Sequence, residues 1–285
     1  MKSPVILGLA AIISLTSLQS AEPPPIPIGL DAYRQWDKWP QQRVGARAYM
    51  RSTYDRRGNN EGADASHFLY QLADDFNVTL DIEGAGLLCF VRTNHWHGSP
   101  WHYEVDRKDF IVQETSTADP NKPVPNSVFL PEAPFPNPLT WTWSITKGAD
   151  LMWVPIGFEK SFRLGYSRTR YGTGYYIYQQ FVPGIPLSQP IRSWKAEPPD
   201  KDVLDLINRS GSDLLPGIDT EQGRAMQLRQ RAGSLELPKW QYSELLRLEG
   251  KGVVRALEFR VPKAQAVEFG RAMLRVTWDD RRWPS

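Results

Sequence analysis

The feature that most limits the fold is a series of short β-type runs separated by proline-rich stretches. NVTLDIEGAG at 77–86, TWTWSI at 140–145 and YYIYQQFV at 175–182 alternate or are rich in β-branched and aromatic residues. The alternation in the first run puts Val78, Leu80 and Ile82 on one face and Asn77, Thr79, Asp81 and Glu83 on the other. Proline-rich connections such as 120–138 favour an antiparallel sandwich over βαβ units. We therefore predict an all-β jelly-roll sandwich with short helices.

Three short helices are expected beside the strands. LDAYRQWDKW at 30–39 is one. In the second, from Ala65 to Asp75, apolar residues recur at helical spacing. They are Phe68, Leu69, Leu72 and Phe76. The third follows Pro198, Pro199 and Asp200, which are typical of a helix start.

A faint internal repeat suggests how the chain is divided. IEGAGLL at 82–88 matches LEGKGVV at 248–254, and β-type residues follow each copy. We expect a first jelly roll at 22–190, a helical linker at 191–240, and the first strands of an incomplete second jelly roll at 241–285.

The N-terminus resembles an export signal. MKSPVILGLAAIISLTSLQSA has a basic start at Lys2, an apolar stretch from Val5 to Leu18 and a small residue at Ala21. We expect residues 1–21 to be a signal peptide of a secreted or periplasmic protein. No other stretch is long and apolar enough to predict a membrane span.

Composition narrows the partners and the cysteine chemistry. The net charge is +2, and acidic and basic residues are scattered, which disfavours a nucleic-acid binder. Eleven Trp and eleven Tyr suit either β-sheet cores or platforms for sugar rings. Cys89, the single cysteine, lies in the apolar run GLLCFV and is expected to be a buried, inert thiol. No cofactor is expected.

HWHGSPWHYEVD at 95–106 holds three of the four histidines. His95, His97 and His102 have ligand-type side chains, and a metal-dependent hydrolase is one interpretation. The Gly-Ser-Pro turn between the histidines weakens it. The alternatives are a sugar-binding platform with acid/base groups, in which Trp96 or Trp101 stacks on a ring, and the rim of a sandwich core.

Residues 101–106 read as one strand. Its core face is Trp101, Tyr103 and Val105, and its polar face is His102, Glu104 and Asp106. The strand rise puts the Cβ atoms of the two carboxylates about 6–7 Å apart. Glycosidases hold their carboxyls about 5–5.5 Å or 6.5–9.5 Å apart. Glu104 and Asp106 are therefore candidate acid/base residues, and a solvated strand face is the alternative.

The loop RSTYDRRGNNEG at 51–62 is the second candidate stretch. Its short polar side chains on a glycine-containing loop suit hydrogen bonding to hydroxyl groups, or form an ordinary turn. The hydrogen-bonding residues are Asp55, Arg56, Asn59 and Asn60.

Several motifs together resemble one family. TYDRRGNNEG, IEGAGLL, WHGSPWHYEVD, VPIGFEKSFRL and YYIYQQF occur in the order found in domain-of-unknown-function family 2961, which is grouped with glycoside hydrolase family 172. The resemblance covers about 30–184 and 246–285, and the Tyr-Asp-Arg loop is its most specific part. It implies a double jelly roll, trimers or larger rings, and a retaining mechanism on fructofuranose or arabinofuranose linkages.

The resemblance transfers binding residues but not catalytic ones. The family's catalytic glutamates lie beyond the segment corresponding to TWDDRRWPS, so the second half is expected to be truncated. The loop residues that transfer are Tyr54, Asp55, Arg56, Asn59 and Asn60, with Trp96, His97 and Trp101 beside them. We expect an exported furanosidase-type glycoside hydrolase that is a homo-oligomer. The rival is a non-catalytic jelly-roll module that binds glycan or assembles into a ring.

Overall fold

The computed structural model describes most of the chain. The described residues are 24–53, 68–73, 76–93, 100–115, 124–166, 174–238, 240–279 and 281, together with the backbone of 7–15.

Strands dominate the secondary structure, and all pairings between strands are antiparallel. The strands are β1 (Leu7–Leu15), β2 (Ala46–Ser52), β3 (Tyr70–Ala73), β4 (Phe76–Glu83), β5 (Gly86–Thr93), β6 (Trp101–Val105), β7 (Lys108–Glu114), β8 (Phe129–Leu130), β9 (Thr140–Trp141), β10 (Asp150–Met152), β11 (Ile156–Phe158), β12 (Ser161–Tyr166), β13 (Gly174–Phe181), β14 (Leu228–Leu235) and β15 (Gly252–Arg260). The α-helices are α1 (Asp31–Arg34), α2 (Trp143–Thr146), α3 (Lys201–Asn208), α4 (Glu221–Ala225) and α5 (Ala266–Phe269), with 3₁₀ turns at Trp36–Lys38 and Lys263–Gln265.

The chain divides into two compact units. The larger unit, 22–212, contains two six-stranded sheets. One has the order β2-β13-β5-β10-β9, with β11 also on β5, and the other has the order β3-β4-β12-β6-β7-β8. This confirms the predicted all-β class and is consistent with a sandwich. Jelly-roll connectivity stays a prediction.

Both sheets of the larger unit contribute to one apolar core. Leu88 and Ile156 come from the first sheet, Phe162 and Leu164 from the second, and each has 0% exposure. Tyr103 lies among them, edge-on to Phe162 at a centroid distance of 6.0 Å. Burial of such side chains is the main stabilising term, at about 1.5–3 kcal/mol each. The outward faces of the strands are left for solvent or ligand.

A two-residue turn fixes the register of the β6–β7 hairpin. Asp106 and Arg107 have φ of 50° and 69°, and Val105 pairs with Lys108. Two successive positive φ values are typical of a type I′ turn, whose twist suits a hairpin. Because the turn is this short, Glu104 stands directly opposite Asp109.

A β-bulge alters the alternation predicted for 77–83. Leu164 pairs with Leu80 and Gly165 with Val78, which leaves Thr79 without an opposite residue. Thr79 is fully buried, and its hydroxyl bonds the Tyr176 hydroxyl at 3.2 Å. Asn77 is fully buried as well. The polar face predicted for Asn77 and Thr79 is therefore wrong, because the extra residue reverses the facing of the strand.

Two further predicted elements differ from the structure. Tyr70–Ala73, within the predicted second helix, is strand β3 and pairs with β4. Pairing with a neighbouring strand has overridden the helical spacing of the apolar residues. TWTWSI continues as a strand only through Trp141, and Trp143–Thr146 is a helical turn.

The first and third predicted helices are confirmed by α1 and α3. Arg34 joins them through an ion pair of 2.7 Å from its Nε to Asp202. Val203 of α3 has 0% exposure, so α3 is anchored within the larger unit, in the interval predicted as a linker.

Cys89 of β5 is half-buried, less than the sequence predicts, and its thiol is unreactive as predicted. It packs beside Ile26, Ile28 and Leu87, and burial raises the pKa of its thiol to about 12. At neutral pH the thiol is protonated, which makes it a poor nucleophile.

The smaller unit comprises 1–21 and 213–285, where β1 is the central strand between β14 and β15. β1 lies in the stretch predicted as the apolar part of a signal peptide, and export stays a prediction. Within this unit, 241–249 and 272–278 have no regular secondary structure.

The internal repeat has matching backbone geometry. Gly84 and Gly250, at the same position in the two copies, have φ of 87° and 89°. β5 begins at Gly86 and β15 at Gly252, again at equivalent positions. A left-handed glycine before a strand is therefore common to both copies.

No helix in the described part of the chain is both long and apolar enough to cross a membrane.

Candidate active site on the outer sheet face

The polar face of β6 forms the centre of the candidate site. Trp101, Tyr103 and Val105 are buried, and His102 and Glu104 are half-buried. The strand therefore has the two faces that its alternation predicts.

A row of four charged residues crosses this face. Asp81 of β4 pairs with Arg163 of β12, Arg163 with Glu104 of β6, and Glu104 with Asp109 of β7. Arg163 Nε lies 3.5 Å from Asp81 Oδ2, and its Nη1 lies 3.4 Å from Glu104 Oε2. One cation thus links two carboxylates on neighbouring strands.

His102 is held by two different contacts. Its Nδ1 lies 2.6 Å from Asp109 Oδ2, and its ring lies 4.8 Å from the Phe76 ring at an angle of 60°. Gly165 lies opposite His102 on β12. A Cβ at Gly165 would lie 2.6 Å from Phe76 Cε1, so glycine makes the room that the Phe76 ring occupies.

The bulge at Thr79 brings both ends of β4 to this site. Phe76 and Asp81 are five residues apart, an odd separation that would put them on opposite faces of a regular strand. The extra residue corrects the facing, so Phe76 contacts His102 while Asp81 contacts Arg163 and the Tyr70 hydroxyl.

An open cleft of about 220 Å³ lies on this face of the sheet. The lining residues are Leu72, Phe76, His102, Glu104, Asp109, Arg163 and Gly165. The cleft therefore combines two carboxylates, an imidazole and a guanidinium with an apolar side formed by Leu72 and Phe76.

Electrostatics favour the charged form of the guanidinium. Partial burial lowers the pKa of Arg163, but Asp81, Glu104 and Tyr70 raise it by more, so the net pKa is above its ordinary value. Burial and the hydrogen bond to Asp81 raise the pKa of Tyr70. Arg163 is therefore a permanent cation and Tyr70 a neutral hydroxyl at neutral pH.

Asp106 lies away from the cleft and serves the turn between β11 and β12. Its carboxylate accepts hydrogen bonds from the backbone N–H groups of Glu159 (2.9 Å), Lys160 (2.6 Å) and Ser161 (2.9 Å), and from the Ser193 hydroxyl. Partial burial raises the pKa of Asp106, and these hydrogen bonds outweigh it, so the net pKa is below the usual value. With both oxygens engaged, Asp106 is suited to fixing the turn.

Trp101 lies in the core. It is 2% exposed, and its ring packs against Phe129 at 6.2 Å between centroids. Its ring face is therefore not open to solvent for stacking on a sugar. The position of Trp101 therefore agrees with a role in the sandwich core and not with a sugar-binding platform.

The other predicted binding residues lie outside the described residues. They are Tyr54, Asp55, Arg56, Asn59, Asn60, Trp96 and His97. The described residues just before these two segments, Thr53 and Thr93, lie at one end of the first sheet on either side of β13. Thr53 exchanges hydrogen bonds with Gly174, the first residue of β13, and Gly174 pairs with Thr93.

A second pair of acids lies inside the sandwich. Glu114 of β7 and Asp150 of β10 are 2% and 1% exposed. Burial and the charge of Glu114 raise the pKa of Asp150 to about 8, although the Trp143 backbone N–H, which donates to Asp150 Oδ1 at 2.8 Å, acts in the opposite direction. At neutral pH Asp150 is largely protonated.

Sequence reasoning found His102 and Glu104 but missed their partners. Asp109, Arg163 and Phe76 come from other strands, and only the register brings them together. The one local signal is the turn after Val105, because a two-residue turn there implies the Glu104–Asp109 pair. Asp-Arg at that turn lacks the glycine that usually marks it.

Within the described residues there is no cluster of three His, Cys, Asp or Glu side chains arranged to hold a metal ion. His95 and His97 of the metal hypothesis lie outside them, and His102 bonds Asp109.

No protein-family model matches the chain, and a search of curated proteins finds no match.

Proposed function

We propose that the protein is an exported glycoside hydrolase that acts on furanose linkages in the cleft around Glu104. The observation that carries the proposal is the Glu104–Asp109 pair. Residues directly opposite on antiparallel strands have Cβ atoms about 4.5–5.5 Å apart. Retaining glycosidases hold their two carboxyl groups about 5–5.5 Å apart. The two side chains therefore start close enough together for their carboxyl groups to reach the spacing of the retaining chemistry that the sequence resemblance implies.

The proposal changes one of the two expected acid/base residues. Glu104 stays, and the second carboxyl of the cleft is Asp109, which acts directly or through the imidazole of His102, in place of Asp106. The oxygens of Asp106 bind the turn at 159–161, whereas Asp109 lies beside Glu104 in the cleft.

The rest of the cleft suits a sugar ring. Carboxylates and guanidinium groups form charge-assisted hydrogen bonds with hydroxyls. Phe76 and the exposed side chain of Leu72 offer an apolar surface to the C–H face of a ring.

Four expectations from the sequence and its resemblance remain part of this proposal. They are the jelly-roll connectivity, the homo-oligomer, the export signal at 1–21, and a contribution from the Tyr54–Asn60 loop to substrate binding.

A non-catalytic glycan-binding module is the second candidate. The observation in its favour is that both carboxylates already have cationic-type partners, Glu104 in Arg163 and Asp109 in His102. Such a surface can form hydrogen bonds with a glycan without catalysing its hydrolysis.

Hydrolysis assays on the full chain separate the two. Fructofuranosides and arabinofuranosides are incubated with wild type, Glu104→Gln and, as the control, the exposed Glu132→Gln. Glu104→Gln is expected to lower kcat by at least about 10²-fold, because an amide can neither exchange a proton nor act as an anion toward the anomeric carbon. Saturable binding without product supports the binding module. Neither binding nor product, or full activity in Glu104→Gln, overturns the cleft as the enzyme site.

A further inference from the structure

We infer that His102, oriented by Asp109, is the group that exchanges protons with the substrate in this cleft. The inference rests on the proposed function and gives Glu104, His102 and Asp109 a different role each. It makes the imidazole of His102 the group through which the second carboxyl of the pair, Asp109, acts on the substrate.

The contact between His102 and Asp109 sets the tautomer. A carboxylate only accepts hydrogen bonds, so the 2.6 Å contact requires that Nδ1 carry a proton. Nε2 is then the ring nitrogen that is left to give or take a proton. A histidine held in this way by a carboxylate is a recurrent arrangement for acid/base catalysis.

The ring is also fixed from its face. Phe76 packs on it at 4.8 Å, and Gly165 leaves the space for Phe76. His102 and Asp109 lie on two strands joined by a two-residue turn, so their backbone positions are fixed as well. Rigid support from strands keeps a catalytic group in register with its substrate.

Glu104 lies in a different environment from His102, because its neighbour is a cation. Its carboxylate lies 3.4 Å from the Arg163 guanidinium, a permanent cation. This arrangement suits a group that must act as an anion toward a developing positive charge. Asp109, with His102 on it, is a positioning residue and does not itself bond to the sugar.

The proton and electron movements balance with these groups alone. In the first step the protonated His102 gives its Nε2 proton to the glycosidic oxygen as the bond from that oxygen to the anomeric carbon breaks. A Glu104 oxygen forms a bond to the same carbon. In the second step neutral His102 takes a proton from water, the water oxygen bonds to the anomeric carbon, and the bond to Glu104 breaks.

A comparison of leaving groups tests the assignment. Alkyl furanosides need a proton on the leaving oxygen, whereas nitrophenyl furanosides leave as a stable anion. For His102→Gln we expect kcat/KM, which reports the first step, to fall by about 10²–10⁴-fold on the alkyl furanoside, with much less loss on the nitrophenyl substrate. Glu104→Gln is expected to lose both, and the exposed control Glu132→Gln neither.

Asp109→Asn provides the test of positioning. An amide in place of the carboxylate can stabilise the wrong tautomer of a histidine. The expected results are the same selective loss on alkyl furanosides and the disappearance of the hydrogen-bonded Nδ1 proton from the imidazole NMR spectrum.

Each outcome decides the matter. Wild type that cleaves neither substrate class overturns the proposed function and this inference with it. Wild type that cleaves both, with kcat/KM of His102→Gln equally lowered on both or unchanged, overturns the inference alone. A retained Nδ1 proton signal in Asp109→Asn removes Asp109 from its role.

Discussion

Two pairs of carboxylic acids in the same sandwich differ in their exposure and in the groups that surround them. Glu104 and Asp109 lie on the outer face, with Arg163 and His102 as partners. Glu114 and Asp150 lie between the sheets, where burial raises the pKa of Asp150 to about 8. The open pair lies where a ligand can reach it. The buried pair avoids placing two negative charges in the core, because Asp150 keeps its proton.

Replacing Asp150 tests the buried pair and should have the largest effect. The folded pKa of about 8 lies above the unfolded value of about 3.9. Stability is therefore fully present below about pH 3.9 and falls as pH rises toward 8, by up to about 1.4 kcal/mol per unit. Asp150→Asn should remove this slope, because the amide cannot ionise. Denaturant unfolding between pH 5 and 8 measures it.

Asp205→Asn, on the exposed side of α3, is the matched control and should keep the wild-type slope. An equal slope in Asp150→Asn would mean that Asp150 is not the group that loses its proton.

Gly165→Ala tests the packing of Phe76 against His102 in the cleft of the open pair. The new Cβ would lie 2.6 Å from Phe76 Cε1, so the ring must move away from His102. Overpacking of this kind costs about 1–3 kcal/mol. Gly148→Ala, where a Cβ meets nothing within 4 Å, is the control for unfolding measurements. Equal stability of the two variants would show that Gly165 is not a steric requirement.

Asp106→Ala asks whether this residue is structural. Losing the bonds to the N–H groups of Glu159, Lys160 and Ser161 should cost about 1–2 kcal/mol at pH 7, with furanoside turnover nearly intact. Because its folded pKa is depressed, its contribution is present above about pH 3.9 and is lost as pH falls through the folded pKa. Loss of turnover without loss of stability would return Asp106 to the acid/base role.

Arg163→Gln should change stability least, by less than about 1 kcal/mol, since its ion pairs are partly exposed. A thermal shift beyond the range of surface variants would mean that the row of charges holds the sheet together.

The sequence predicted individual strands well and their relations poorly. β5, β6 and β13 were evident from local composition, and so was the outward facing of His102 and Glu104. The bulge at Thr79 was not, because it depends on pairing with a strand about 85 residues further along the chain. The helical spacing around Leu72 gave the wrong element because β3 pairs with β4, the next strand along the chain. Asp109 and Arg163 join the site through register alone.

Chemical-shift mapping of a furanoside on the ¹⁵N-labelled full chain is the most direct measurement of where substrate binds. Binding in the cleft predicts that the perturbed backbone amides cluster on β6, β7 and β12, around His102, Glu104 and Arg163. Perturbations confined to other parts of the molecule, with these three amides unmoved at saturation, would contradict it.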